Sequence, residues 1–222
     1  MARPRLHTVD DLLDVAEELV TTADPAGLTL RALAAKSGAS NGTIYHAFRS
    51  KEELLARLWL RATARLGDLM LEAVNSAGDG EDRGERAVVA VALAPARLVR
   101  EHPASAQLFL GQRSDQLFNG ADLAPELLEE IADQHKRFIG ALAMLANAVW
   151  DRADGIAVEA IATCVVDIPG GLLRRRLLEG RGVDTATECR IKAAVAAVLA
   201  IPLDPPRKKK QGDRRDRQPD TT

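Results

Sequence analysis

The amino-acid sequence predicts an all-α protein, with a small N-terminal three-helix unit followed by a larger helical bundle. Apolar residues recur at helical spacing along most of the 222 residues, and no run alternates as a strand would. Ala, Leu, Arg and Glu, the stronger helix formers, dominate, whereas aromatics are only 3%, fewer than a β-sandwich usually carries. Turn residues (Gly, Pro, Asp, Ser) separate the periodic stretches.

The first helix is predicted from about Val9 to Thr22, with Leu12, Leu13, Ala16, Leu19 and Val20 on one face. Thr8 and Asp11 form a capping box at its start, and Asp24-Pro25-Ala26-Gly27 supplies turn chemistry at its end. A short second helix fits Leu30 to Ser37, capped by Thr29 and closed by Gly38, which can take positive φ. Ser40 caps a third helix, from about Asn41 to Phe48, with Ile44 and Phe48 facing inward. Ser50 and Glu53 make an S-x-x-E box opening a long fourth helix that runs to about Asn75. A polar, Gly-rich loop over 76–84 follows, then helices near 85–101, 103–117, 124–148, 153–179 and 184–201. Pro95 and Pro169 should kink or split two of these, Pro103 should stand at a first helical position, and Thr185 and Glu188 should cap the last helix. The predicted division is 1–50 for the first domain, linked by helix 51–75; 51–204 for the second; and 205–222 for a basic tail with seven cations against three acids and no apolar anchor, expected to be disordered.

Two short helices joined by a Gly-containing turn make a helix-turn-helix, whose second helix enters the major groove of DNA. Net charge is only −2, so any phosphate-binding signal has to be local. It is: Pro25 to Lys51 holds four cations (Arg31, Lys36, Arg49, Lys51) and no acid, between acid-rich helices.

The segment Leu28–Leu55, LTLRALAAKSGASNGTIYHAFRSKEELL, resembles the DNA-binding domain of the TetR (tetracycline-repressor-like) family of transcriptional regulators. The matching residues are Thr29, Leu33-Ala34, Gly38, Ser40, Gly42-Thr43-Ile44-Tyr45, Phe48, Lys51 and Leu54, ungapped. The resemblance covers about a quarter of the chain at residue level; beyond that only length and helical character match. It implies DNA contacts at Thr29, Arg31, Ser40, Asn41, Thr43, Tyr45, His46 and Lys51. Thr29, Arg31, Tyr45 and Lys51 would hold phosphate, and Asn41 and Thr43 are the better candidates for base edges. The chain departs from many relatives at Asn41, where they carry Lys, and at Ala47, where they carry an aromatic or His. Arg3 and Arg5, or the basic tail, are the residues that could restore the missing cation through the minor groove.

For the second domain the resemblance implies dimerisation and ligand sensing. The apolar stripes of the last two helices, with Ile161, Val165, Ile191, Ala194, Val195 and Val198, are the predicted interface of a homodimer; ordinary monomer core is the rival reading. Polar or aromatic groups on apolar helices are the candidate effector contacts: His102, Phe109, Phe118, His135, Phe138, Met144, Trp150, Cys164 and Asp167. A mostly aliphatic pocket for a medium-sized apolar or amphipathic molecule is expected. The implied partners are a palindromic double-stranded operator, a second copy of the chain and a small-molecule effector. The implied function is a repressor released from its operator by that effector; a ligand-independent regulator working through a protein partner is the alternative.

Catalysis is not expected. Four histidines show no H-x-x-x-H or H-E-x-x-H spacing, and the 78–84 stretch lacks the Lys-Ser/Thr ending of a phosphate loop. No thiol or imidazole pair has metal-ligand spacing, so no metal and no cofactor are predicted. Two cysteines 25 positions apart form no disulfide framework, and no signal peptide or run of 18 apolar residues stands out. A soluble cytoplasmic protein that does not enter the membrane is the expectation.

Overall fold

The computed structural model describes residues 8–111 and 122–205. The Arg3/Arg5 arm and the 207–217 basic cluster lie outside them, as does Phe118. Among the described residues there are helices and no strands: α1 (Val9–Gly27), α2 (Leu30–Ser37), α3 (Asn41–Ala47), α4 (Lys51–Asn75), α5 (Arg83–Ala92), α6 (Ala94–Glu101), α7 (Pro103–Ala106), α8 (Pro125–Trp150), α9 (Gly155–Ala162), α10 (Ile168–Leu178) and α11 (Thr185–Leu199). Two π-helical turns, Gln107–Gly111 after α7 and Thr163–Asp167 between α9 and α10, complete the order.

The N-terminal helices start where their caps say they should. Thr8 and Asp11 bond reciprocally, amide to side chain, at 2.8 and 3.1 Å. Thr29, Ser40 and Ser50 each accept a backbone N–H of the following turn. Gly38 closes α2 at φ 72°, the left-handed conformation that a side chain would strain. The box at α4 is only half built as expected: Ser50 Oγ accepts from Glu53 N, while the Glu53 carboxylate turns to Arg49 N and Arg57. Glu53 is buried, and these three donors satisfy its charge. α1 also runs past Pro25 to Gly27, five residues beyond its predicted end. A proline near a helix end removes only one bond of a terminal turn, so the chain breaks at the glycine instead.

The small first core gathers Leu12, Ala16, Val20, Leu28, Leu33, Ile44, Phe48, Leu54 and Leu58. It therefore runs past residue 50 into α4, and it also takes Ala104 and Leu108 from α7 and the turn after it. A separate, larger core lies in the second half, built on Leu66, Met70, Val88, Leu98, Leu142, Ile161 and Val195 among others. The predicted 85–101 helix is split just before Pro95 into α5 and α6, and Pro103 stands at the first position of α7. In the 153–179 stretch the irregularity is the π turn just before Pro169, which absorbs the missing N–H. The last helix is capped not by Thr185 but by Asp184, whose carboxylate accepts from Thr187 N at 2.8 Å and Thr187 Oγ1 at 2.7 Å. An extended Asp184 one residue earlier offers the stronger, charged acceptor.

Among the described glycines whose surroundings are known, Gly84 is the one in tight contact. A Cβ there would stand 2.3 Å from the Ala148 carbonyl oxygen, so α5 and α8 approach backbone to backbone.

Gly155–Leu178 contains an 18-residue window of mean hydropathy 1.8, long and apolar enough to cross a bilayer by length and composition. This departs from the expectation of no such segment, because scattered Glu159 and Asp167 hide it from a search for unbroken apolar runs. The run packs on α5, α8 and α11, yet only 33% of that window is buried.

Candidate nucleic-acid interface and internal cavity

α3 has seven residues, and only Ile44 among them is buried. Ile44 and Phe48, both 0% exposed, anchor it to the first core. Asn41, Gly42, Thr43, Tyr45 and His46 are thereby left exposed on one short helix, together with Ser40 at its cap. Tyr45 is 59% exposed, so it is not a packing residue. Thr29 and Arg31 are exposed at the start of α2, and Lys51 is half-buried at the start of α4. All eight residues expected to meet DNA thus belong to the ends or outer face of the same three-helix corner.

The hydroxyls at this corner are already oriented. Ser40 Oγ accepts from Thr43 N at 3.1 Å and pairs with Thr43 Oγ1 at 2.9 Å. With its hydroxyl held by Ser40, the exposed Thr43 has its methyl as the group left for an apolar contact, of the kind a thymine methyl makes. Thr29 Oγ1 accepts from Ala32 N and keeps its proton for donation. Lys36 is held by Glu18 at 3.0 Å, which leaves Arg31 as the more available cation on α2.

The corner is joined to the second half through two elements. α4 contributes Leu54 and Leu58 to the first core and Leu66, Leu69 and Met70 to the second. α7 and its π turn do the same over a shorter span: Ala104 and Leu108 face the first core, Ala106 and Leu110 the second. Between them Ser105, fully buried, accepts from Arg65 Nη1 at 2.8 Å. The same Arg65 nitrogen meets Glu17 Oε1 at 2.5 Å, and Arg61 pairs with Asp14 at 2.6 Å. Helices α1, α4 and α7 are thus tied by one charged cluster. Ion pairs of this kind add little net stability but fix which arrangement is adopted.

A cavity of about 860 Å³ lies in the second half. Its wall includes Trp59, Leu66 and Met70 of α4, Phe109 and Leu110 of the π turn, Phe138 of α8, and Asp167, Gly170, Gly171 and Arg174 on the α9–α10 run. Of the residues expected to meet an effector, Phe109, Phe138 and Asp167 are on this wall. Phe118 lies outside the described residues, and the others stand away from this wall. His135 and Met144 are exposed on α8, because α8 presents Leu142 and Leu145 inward instead. His102 is half-buried at the joint between α6 and α7, away from the wall. Cys164 is buried in the second core, where desolvation pushes its thiol up to about 11, and Trp150 packs against the same core. Trp59 and Arg174 were missed by the sequence reading. Only the meeting of α4 with α10 around one space makes them neighbours.

The expected dimer residues also need correction. Ile161, Ile191 and Val195 are 0% exposed and Val165 is 6%, within a single chain. Within the single chain they belong to the core, while Ala194 and Val198 are half-buried.

Among the described residues the chain is all-helical, with a helix-turn-helix corner and a separate helical body carrying a cavity. Residues 12–58 match the family model described as bacterial regulatory proteins, tetR family. A helix-turn-helix transcriptional regulator of Mycobacterium tuberculosis, uncharacterised in both strains where it is found, is 36% identical over 112 residues. That match spans 50% of this chain and 54% of the relative, so the chain spans about half the length of the curated relatives it matches. Among solved structures, the fatty acid degradation regulator FadR from Bacillus halodurans superposes with a TM-score of 0.63 at 15% identity, over 90% of this chain and 97% of that one. The ketosteroid regulator KstR2 of M. tuberculosis gives 0.58 at 18% identity, over 87% and 94%. FadR from Bacillus subtilis, in complex with stearoyl-CoA, gives 0.60 at 16% identity, over 86% and 96%. Residues 12–58 are thus similar to the bacterial regulatory proteins of the tetR family, and the fold of the described residues is similar to that of these solved structures.

Proposed function

We propose that this protein is a homodimeric repressor that binds a palindromic operator in the cytoplasm through α3 and leaves it when a small molecule occupies the cavity. The observation that carries the DNA-binding half is the exposed face of α3, with Asn41, Thr43, Tyr45 and His46 outward on a helix anchored by Ile44 and Phe48. Two copies would set their α3 helices about 34–36 Å apart, one turn of B-DNA, or at a longer spacing. Asn41 and Thr43 would read base edges, while Thr29, Arg31, Tyr45 and Lys51 would fix the register on phosphate. Nothing in this scheme asks for bond-making chemistry, so the protein is read as a binding switch and not an enzyme.

The surface left for a second copy is the outward side of the apolar Gly155–Leu178 run, only 33% buried over its most apolar window, with the exposed small residues Ala193 and Ala197 of α11. Small residues let helix axes of two copies approach closely. Ala193→Glu combined with Ala197→Glu is expected to halve the mass seen by light scattering without unfolding the chain. An unchanged dimer would remove α11 from the interface.

Release is read through the π turn Gln107–Gly111. Phe109 and Leu110 are on the cavity wall, and Leu108 between them and α7 is seated in the first core. A ligand that displaces Phe109 must therefore move Leu108 against the helix-turn-helix corner, and must prefer the displaced state to shift the equilibrium. Selection of bound duplexes from a random library by the purified protein tests the whole reading. An enriched palindrome supports it, and no enrichment from a folded sample at moderate salt overturns it. On the selected operator, Lys51→Ala is expected to flatten the slope of log affinity against log salt by about one. An unchanged slope would remove Lys51 from the phosphate contacts.

A further inference from the structure

The cavity carries a charge pattern that nothing so far explains. Its wall is apolar over α4, the π turn and α8, with Trp59, Phe109 and Phe138 as its aromatic part. Among the described residues its only charged wall residues are Asp167 and Arg174. They are seven residues apart on one helical run, separated by about 10 Å of rise across Gly170 and Gly171. A Cβ at either glycine would meet nothing within 4 Å, so the space continues over bare backbone between the two charges. Two adjacent glycines inside a helix lower its stability, by roughly 1 kcal/mol each relative to alanine, without any turn or close packing to require them. What they do supply is room.

Several arginines of the second half are engaged. Arg97 bonds Glu72 and Glu101, Arg100 pairs with Glu188, Arg152 with Asp154, and Arg176 with Asp184. Arg174 and Asp167, both exposed, make no hydrogen bond or ion pair among the described residues; Arg137, Arg175 and Arg190 make none either, and what sets Arg174 apart is its place on the cavity wall. A guanidinium stays charged at any physiological pH, so a ligand group placed over Arg174 is favoured when it is an anion.

We infer that the cavity takes an anionic amphiphile, a monocarboxylate on an extended apolar chain or ring system, with the carboxylate bound by the Arg174 guanidinium. The apolar body lies against Trp59, Phe109 and Phe138, and the head group sits on the glycine step of α10. Asp167 acts against the anion from the far side of that step and sets how close a second negative group can come. This rests on the effector reading of the cavity given above, and adds to it the sign and class of the ligand's head group.

Trp59 stands in the wall and reports binding directly; the other tryptophan, Trp150, belongs to the second core. The full chain carrying Trp150→Phe is titrated, with Trp59 fluorescence as the readout, against three probes of equal chain length below their micelle thresholds. These are dodecanoate, dodecyltrimethylammonium and 1-dodecanol, with dodecanoyl-CoA titrated as a fourth, thioester probe. Dodecanoate is expected to bind at least tenfold more tightly than either of the others, to lose about tenfold or more in Arg174→Gln, and to regain part of that in Arg174→Lys. Asp167→Asn is expected to tighten dodecanoate severalfold. Far-UV circular dichroism checks that each variant keeps its helices. Equal binding of dodecanoate and dodecanol, or dodecanoate binding unaffected by Arg174→Gln, overturns the head-group assignment and leaves the effector cavity standing. Tighter binding of the ammonium probe overturns it in favour of Asp167. Dodecanoyl-CoA binding that exceeds dodecanoate and ignores Arg174→Gln overturns it in favour of a thioester held elsewhere. Failure of all the probes to bind overturns both readings.

Discussion

The two halves of this chain solve the problem of helix stability in opposite ways. The DNA-binding corner is built on helices of 8 and 7 residues, too short to be stable alone. Each is pinned by a side-chain cap, Thr29 and Ser40, and by a fully packed core in which Leu33, Ile44 and Phe48 are 0% exposed. The body uses long helices such as the 26-residue α8, interrupts others with prolines and π turns, and leaves a cavity of about 860 Å³ among them. On the reading proposed above, the corner would present one rigid face to DNA and the body would admit a ligand and move. Local code fixes the first, and nonlocal packing the second.

The largest expected effect separates the two cores. Phe48→Ala should cost about 3–5 kcal/mol, because its fully enclosed site has nothing to collapse into. Phe109→Ala, on a wall that already borders empty space, should cost about 1–2 kcal/mol. Urea denaturation of both variants checks this, and equal losses would erase the contrast. A paired glycine test comes next. Gly84→Ala forces its Cβ against the Ala148 carbonyl and should destabilise by about 1–3 kcal/mol. Gly42→Ala meets only Ser40 Oγ at 3.7 Å and should stabilise α3 by up to about 1 kcal/mol through helix propensity. Opposite shifts in thermal midpoint are the expected result; shifts of one sign would break the comparison.

The smallest effect concerns acid. The Thr187 hydroxyl and backbone N–H, with Arg176, hold the Asp184 carboxyl down at about 2. An unfolded aspartate titrates near 4, as an ordinary carboxylate does, so this cap is fully effective above about pH 4. Its contribution is lost as pH falls from about 4 through about 2. Asp184→Asn should therefore lower the melting temperature at pH 6 and converge on the parent protein as the pH falls through that window. A gap that stays constant with pH would mean that the carboxylate charge is not what caps α11. The Ser and Thr caps of the corner do not titrate and give it no such dependence.

The corner was legible in the sequence because its determinants are adjacent residues. Thr29, Gly38, Ser40 and Ser50 announce their helices at fixed offsets, and Ile44 and Phe48 mark the inward face. The exposure of Asn41, Thr43, Tyr45 and His46 follows from the same periodicity. The body was legible only as helices. A stripe such as Ile191, Val195 and Leu199 says that a face is buried, but not whether its own chain or a second copy buries it. The structure gives it to α5 and the rest of the second core. The cavity wall was less legible still. Trp59, Phe138 and Arg174 come from three helices distant in sequence, and nothing local distinguishes Phe138 on the wall from His135 facing solvent. The Asp184 cap was missed for a different reason. Thr185 and Glu188 offered the same spacing one residue later, and the decision lay in the extended backbone of Asp184.

The close approach at Gly84 has a mechanical consequence. It clamps α8 near its C-terminal end, at Ala148, against α5. The other end of α8 reaches across to α4, where Leu127 packs against Ala56. From Ala148 to Leu127 the helix spans roughly 30 Å, so a tilt of about one degree at the clamp carries Leu127 through about half an ångström. Phe138, midway along, is where a ligand would push. The clamp is a fulcrum and α8 a beam, with its free tip resting on the helix that leads to the DNA-binding corner.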